Sequence, residues 1–138
     1  VNVEFRPVPW AELEPWRKDA AREHSDIAPL PSITWFAATL GGSKLGCIGL
    51  LRVSKTTVRV RGWYVRPECR GQGVGMFLHE SAEEWAARHG YERIESTTRL
   101  WEVLLRRGWV VLRRYTPAVG TKMTRALSDP EGRAGRTV

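Results

Sequence analysis

The sequence predicts an α/β (α+β) fold, a mixed and mostly antiparallel sheet of about six to seven strands flanked by helices. Three observations carry this. Between residues 33 and 65, three extended apolar runs follow one another with turns of a few residues between them, the pattern of an antiparallel meander. After Val65 a glycine-rich turn opens an amphipathic run ending at Gly90, and a short strand follows. That is a strand–helix–strand unit, whose two strands can run parallel. Finally, 138 residues with 42% hydrophobic and 27% charged content suffice for one core of ordinary size.

In chain order, residues 2–8 alternate apolar and polar, which predicts a first strand at 3–6. Trp10, Leu13, Trp16 and Ala20 then fall at helical spacing, and Pro15 splits that run into two short helices. Residues 25–32 contain two prolines and read as a loop. A second strand is expected at 33–40, a hairpin turn at 41–44, and a third strand at 45–53. In that third strand Gly46 and Gly49 mark weak points or close backbone approaches. A fourth strand covers 57–65. The helix beyond the glycines places Val74, Phe77, Leu78, Ala82 and Trp85 on one face, with Glu80, Glu83, Glu84 and Arg88 mostly on the other. A fifth strand at 93–96, a helix at 99–107 stopped by Gly108, a strand from 109 to 112 and a last strand at 121–127 complete the domain. Residues 1–127 are expected to be one domain, and 128–138, with no large apolar residue except Val138, a disordered tail.

Composition narrows the function. No apolar run reaches the roughly 18 residues that span a bilayer, so no membrane role is expected. The N-terminus lacks the basic-then-apolar pattern of a secretory signal. Cys47 and Cys69 fit neither a disulfide framework nor metal-ligand spacing, so no metal is expected and reduced thiols of a cytoplasmic protein are. A net charge of +7 and a pI of about 10.1 favour anionic partners.

The chemistry concentrates in Val65-Arg66-Pro67-Glu68-Cys69-Arg70-Gly71-Gln72-Gly73-Val74-Gly75-Met76. Glycines at alternate positions let the backbone turn sharply and let a ligand approach where a Cβ would block it. They sit between a strand and a helix, so their N–H groups lie near a helix N-terminus, an arrangement that binds phosphates. Arg70 adds a fixed positive charge with bidentate geometry for phosphate oxygens.

The order of elements and this stretch resemble the GNAT family of acetyl-CoA-dependent N-acetyltransferases. The family's cofactor motif, Arg/Gln-x-x-Gly-x-Gly/Ala after a strand ending in Val-x-Pro, reads here as Val65-Arg66-Pro67 and then Arg70-Gly71-Gln72-Gly73-Val74-Gly75. The resemblance covers roughly residues 3–127 and implies a GNAT-like fold with a splay between the fourth and fifth strands. It implies that the backbone of Arg70, Gly71, Gln72, Gly73, Val74 and Gly75 holds the coenzyme A pyrophosphate. It also implies that the pantetheine arm lies in the gap between those strands and pairs with backbone at Trp63, Tyr64 and Val65. The N–H of Val65 or a neighbour would then serve the thioester carbonyl as oxyanion donor. The acetyl group would pass directly to an amine of unknown identity in a ternary complex, without an acyl-enzyme.

The family often draws the leaving thiolate's proton from a Tyr four residues before a Gly, here Gly108, but that position holds Leu104. A frequent Asn, eleven residues before the Gly, is replaced by Thr97. Tyr64 and Tyr115 are the candidate substitutes, with water as another donor. General-base candidates are His24, Asp26 and Glu95, while His79 and His89 are expected to face solvent. Cys69 precedes a helix N-terminus, which can lower a thiol pKa, but the family rarely uses an acyl-cysteine.

Two basic groups remain. One comprises Arg99, Arg106, Arg107, Arg113, Arg114, Lys122 and Arg125; the other comprises Arg52, Lys55, Arg59, Arg61, Arg66 and Arg70. Their simplest meaning is a solvated basic face. The alternative is a nucleic-acid-directed member of the fold. It would modify DNA bases or bind nucleic acid without catalysis, with Trp35, Trp101 or Trp109 for base stacking. A monomer or homodimer is expected in either case.

Overall fold

The hairpin expected between the second and third strands is tighter than its four glycine, serine and lysine residues suggest. In the structure, a computed structural model that describes residues 2–117 and 119–127, Leu40 pairs with Ser43, and the turn is Gly41–Gly42 alone. The strands are β1 (Glu4–Pro7), β2 (Ile33–Leu40), β3 (Ser43–Arg52), β4 (Thr57–Val65), β5 (Arg93–Thr98), β6 (Val110–Arg114) and β7 (Thr121–Ala126). They form one seven-stranded sheet in the order β1-β2-β3-β4-β5-β7-β6. Antiparallel pairing joins β1 to β2, β2 to β3, β5 to β7 and β6 to β7. The predicted parallel pair is present: Thr57, Val58 and Arg59 of β4 face Arg93, Ile94 and Glu95 of β5. That ladder takes in only the start of β4, a 9-residue strand.

Helices are α1 (Arg17–Arg22), α2 (Val74–Arg88) and α3 (Trp101–Arg106). The first helical run breaks up more than Pro15 alone implied. Trp10–Glu12 and Glu14–Trp16 are 3-10 turns, the second carrying Pro15 in its first positions, and only α1 is α-helical. Another 3-10 turn, Pro67–Cys69, was not foreseen. The segment 128–138, expected to be a disordered tail, lies outside the described residues.

The chain divides into two compact units, Val1–Leu51 with Arg61–Ala82 and Arg52–Val60 with Glu83–Val138. The first unit buries Leu13, Ile27, Trp35, Ala37, Cys47 and Tyr64 in one cluster. Trp35 is packed against two glycines: a Cβ on Gly49 would meet its ring at 2.8 Å, and one on Gly62 at 2.6 Å. Gly62 sits inside β4 with φ 57, a left-handed residue in an otherwise extended strand, as at a bulge. In the second unit, Ile94, Leu104, Trp109 and Met123 are buried. Two of its carboxylates are held by cations: Glu95 by Arg59 at 3.0 Å and Lys122 at 3.7 Å, and Glu83 by Arg125 at 2.6 Å.

Two residues of α2 overturn their expected exposure. His79 and Glu83 are buried, not solvent-facing. The sequence pattern assumed one apolar stripe, through Val74, Leu78 and Ala82. In fact the helix also buries the adjoining stripe through His79, Glu83 and Ala87, and a buried carboxylate is tolerable where an arginine meets it. His89 does face solvent, stacked on Trp85 with ring centroids 3.9 Å apart.

Gly62→Ala adds left-handed strain to a clash with the Trp35 ring. It is expected to lower the free energy of unfolding by about 2–4 kcal/mol in urea denaturation. A loss under about 0.5 kcal/mol, the range of ordinary surface changes, would contradict the packing described.

Candidate active site

The end of β4 is fastened before the glycine loop begins. The N–H of Arg66 donates to the carbonyl of Leu45 at 3.0 Å, and its guanidinium donates to the carbonyl of Lys44 at 3.0 Å. The 3-10 turn follows, closed by the Cys69 N–H on the carbonyl of Arg66 at 2.9 Å. On the far side of the loop, the indole Nε1 of Trp63 donates to the carbonyl of Gly75 at 2.9 Å. That bond ties β4 to the first turn of α2.

Between these anchors the chain is open. Gly71 and Gly73 have φ 75 and φ 83, and a Cβ on either would meet nothing within 4 Å. The first bond of α2 runs from the Phe77 N–H to the carbonyl of Gly73 at 3.0 Å. The N–H groups of Gly71, Gln72, Gly73, Val74, Gly75 and Met76 find no acceptor among the described residues. A row of donors at the start of a 15-residue helix, with open space beside it, fits a pyrophosphate.

Val65 presents its polar backbone groups away from β3. Its neighbour Arg66 bonds to β3, and peptide direction alternates along a strand. The carbonyl of Val65 accepts instead from Arg70 Nε at 2.9 Å, and that of Trp63 from Ser25 Oγ at 2.8 Å. The N–H of Val65 shares this side.

Arg70 does not point into the open loop. Its Nη2 donates to both carboxylate oxygens of Glu23, at 2.7 and 2.8 Å, and its Cζ lies 5.5 Å from the centre of the Tyr64 ring. The hydrogen bond to Glu23 raises the Arg70 pKa above its ordinary value. Tyr64 is buried, and burial pushes its hydroxyl pKa up. The Glu23 carboxylate adds to that rise, and Arg70 opposes it. The hydroxyl therefore stays protonated at neutral pH.

The structure thus brings Trp63, Tyr64, Val65, Arg70, Gly71, Gln72, Gly73, Val74 and Gly75 together in the first unit. Tyr115 belongs to the second, exposed beneath the guanidinium of Arg113 at 5.3 Å. Of the base candidates, Asp26 pairs with Arg61 at 2.8 Å, and Glu95 is engaged by Arg59 and Lys122. His24 is exposed and has φ 63, the only positive φ outside glycine among the described residues. Leu104, at the position of the missing tyrosine, is buried, whereas Thr97 is exposed. Trp35 and Trp109 are buried and cannot stack on bases. The indole of Trp101 lies under Arg114 at 4.4 Å. Sequence reasoning missed Glu23 and Ser25. Nothing local marks them, because Glu23 meets a residue 47 positions away and Ser25 one 38 away. Among the described residues no group of three or more His, Cys, Asp or Glu could hold a metal ion, and no helix is long and apolar enough to cross a membrane.

A mixed sheet with one parallel pair, bridged by a helix that opens on a phosphate-receptive loop, defines the class of fold. Comparison with known proteins supplies the family. The model of the Acetyltransferase (GNAT) family matches residues 2–108, and the chain belongs to that family. It is an enzyme, an N-acetyltransferase that uses acetyl-CoA. The chain is 33% identical over 102 residues to the aminoglycoside N(6')-acetyltransferase type 1 of Klebsiella aerogenes, a match covering 63% of this chain and 67% of that protein. Among solved structures, Rv2747 from Mycobacterium tuberculosis, in complex with CoA, superposes with a TM-score of 0.74 at 14% identity, over 91% of this chain and 99% of that one. A GNAT family acetyltransferase from Elizabethkingia anophelis with acetyl-CoA bound gives 0.66 at 16% identity, over 91% and 99%. These two likenesses concern the fold.

The two thiols should separate cleanly. Burial raises the Cys47 pKa from 9.0 to about 12, whereas Cys69 is partly exposed. A thiol reagent should label Cys69 alone in the native protein and both residues in denaturant. The sign for stability follows, since the folded pKa lies above the unfolded one. Cys47's contribution is whole below pH 9.0 and is lost as pH rises from there towards about 12. Urea midpoints across that range should fall more steeply than those of Cys47→Ala; parallel curves would contradict the assignment.

Proposed function

We propose that residues 1–127 act as one domain that passes the acetyl group of acetyl-CoA directly to a primary amine in a ternary complex. The row of N–H groups from Gly71 to Met76, unengaged among the described residues, carries this reading, because it offers a polyanion several donors at a helix N-terminus. Acetyl-CoA supplies an acetyl thioester, a carbonyl activated toward amines with a thiolate as leaving group. The backbone N–H groups of residues 71–76 bind the pyrophosphate; that of Arg70, expected to join them, is taken by the carbonyl of Pro67 at 3.3 Å. The Val65 N–H donates to the oxygen that gains negative charge during transfer. Backbone at Trp63 and Val65 positions the pantetheine arm; that of Tyr64, expected to share this role, faces β3, where its carbonyl lies 2.7 Å from a Cβ placed on Gly46. The Tyr64 side chain, kept protonated by burial, donates the proton the thiolate needs. Tyr115 is the second candidate for that role.

The name of the relative supports an acceptor class. Its name gives an aminoglycoside, and the proposed acceptor here is likewise a cationic primary amine on a small molecule.

Acetyl-CoA titrated in a calorimeter should bind below about 1 mM, the usual upper range of cofactor KM values, and no heat up to that concentration would contradict the reading. Gly73→Glu puts bulk and negative charge beside the pyrophosphate and should abolish this binding; unchanged affinity would mean the loop is misassigned.

Tyr64→Phe should lower kcat by about 10²-fold, within the range for a general acid, while leaving acetyl-CoA affinity unchanged. Thiol release across a panel of aminoglycosides, peptides and modified DNA is the readout. Initial-rate lines should intersect, and parallel lines would instead indicate an acyl-enzyme.

A further inference from the structure

The guanidinium of Arg70 occupies a site built for a cation. A carboxylate, Glu23, takes Nη2 at 2.7 and 2.8 Å, the carbonyl of Val65 takes Nε at 2.9 Å, and the ring of Tyr64 lies 5.5 Å from Cζ. Opposite charge, a lone pair and a π face are the components that recognise organic cations. We propose that Glu23, Tyr64 and the Val65 carbonyl form the binding site for the acceptor's ammonium group, and that Arg70 fills it until coenzyme binds.

The location fits. One guanidinium touches both Glu23 and Val65, so the carboxylate lies a guanidinium's width from the residue whose N–H faces the thioester. Arg70 is also the first residue of the pyrophosphate loop. Its ion pair with Glu23 is about two-fifths exposed on both sides, at 42% and 40%, and exposed pairs are weak. The several negative charges of a coenzyme at the loop compete for Arg70 against the single charge of Glu23. Withdrawal of Arg70 opens the site, so the amine enters after the coenzyme.

Glu23 is held in place independently of Arg70. It is the C-cap of α1, and the chain beyond it is pinned to β4 by Ser25 on the Trp63 carbonyl and by Asp26 on Arg61. The N–H groups of His24 and Ser25 close the helix end on the carbonyls of Ala21 and Ala20, at 3.1 and 2.9 Å. His24 thereby takes the left-handed position at which glycine is usual. A strained residue persists where its surroundings over-determine it, and here they fix the helix end that carries Glu23.

The inference rests on the acetyltransferase reading for what fills the site in turnover, but the site itself can be tested without coenzyme. In Arg70→Ala, and in Arg70→Gln as a second variant, n-propylammonium should cause saturable NMR shifts of the Tyr64 ring. Adding Glu23→Gln should weaken that binding about tenfold, the size expected from losing a charge-assisted contact. No saturable shift at Tyr64 in either variant, or an affinity that Glu23→Gln leaves unchanged, would overturn the proposal. In the native sequence, saturating coenzyme A should tighten n-propylammonium binding at Tyr64 at least about fivefold, and no tightening would overturn the role of Arg70 as a displaceable occupant. Failure of coenzyme A to bind at all would sink the functional reading alone, because the variant arm decides the cation site separately.

Discussion

The indole of Trp63 donating to the carbonyl of Gly75 is the contact on which the rest of the site depends. It joins the end of a strand to the first turn of a helix across the glycine loop. With Arg66 fastened to the carbonyls of Lys44 and Leu45, the loop is pinned at both ends. Its N–H groups from Gly71 to Met76 are left without acceptors among the described residues. A hydrogen bond of this kind contributes about 1 kcal/mol to stability, but losing its partner costs about 1–3 kcal/mol when the remaining group is buried. The larger consequence is geometric: the donor row is set before any ligand arrives, so little ordering entropy remains to be spent on binding.

On the proposed function, one strand would serve both substrates. Trp63 and Val65 direct their carbonyls away from β3, to Ser25 and Arg70 respectively. Segment 23–26 therefore lies along the strand that should receive the thioester, fixed by a hydroxyl, an ion pair and a strained helix end. Arg70 joins three parts of the first unit: the glycine loop, the end of α1 and the strand backbone. A residue that meets all three is placed to couple coenzyme binding to the acceptor side, and its exposed ion pair can exchange partners.

Features made by neighbouring residues were legible in the sequence. The loop, its helix and the meander are local patterns, and of the two readings left open for Gly46 and Gly49, weak points or close approaches, the packing favours the second. A Cβ on Gly46 would meet the Tyr64 carbonyl at 2.7 Å. Long-range electrostatics were not legible. Glu23 meets Arg70 across 47 positions and Glu83 meets Arg125 across 42, and no spacing rule links them. His79 and Glu83 were placed on the wrong side of α2 because a helix buried on two adjoining stripes carries polar residues that mimic a solvent face. Trp35 and Trp109, offered as stacking platforms, went to the core, the usual fate of large apolar surface. The glycine in β4 was visible, but only the packing of Trp35 shows why position 62 needs it.

The central claim is that the backbone from Gly71 to Met76 receives the coenzyme's pyrophosphate. Amide ¹H–¹⁵N spectra recorded during a titration with coenzyme A test it most directly. The account predicts the largest downfield shifts at Gly71, Gln72, Gly73, Val74, Gly75 and Met76, because each N–H gains an anionic acceptor. Saturable binding that leaves these amides unmoved and shifts others would contradict it.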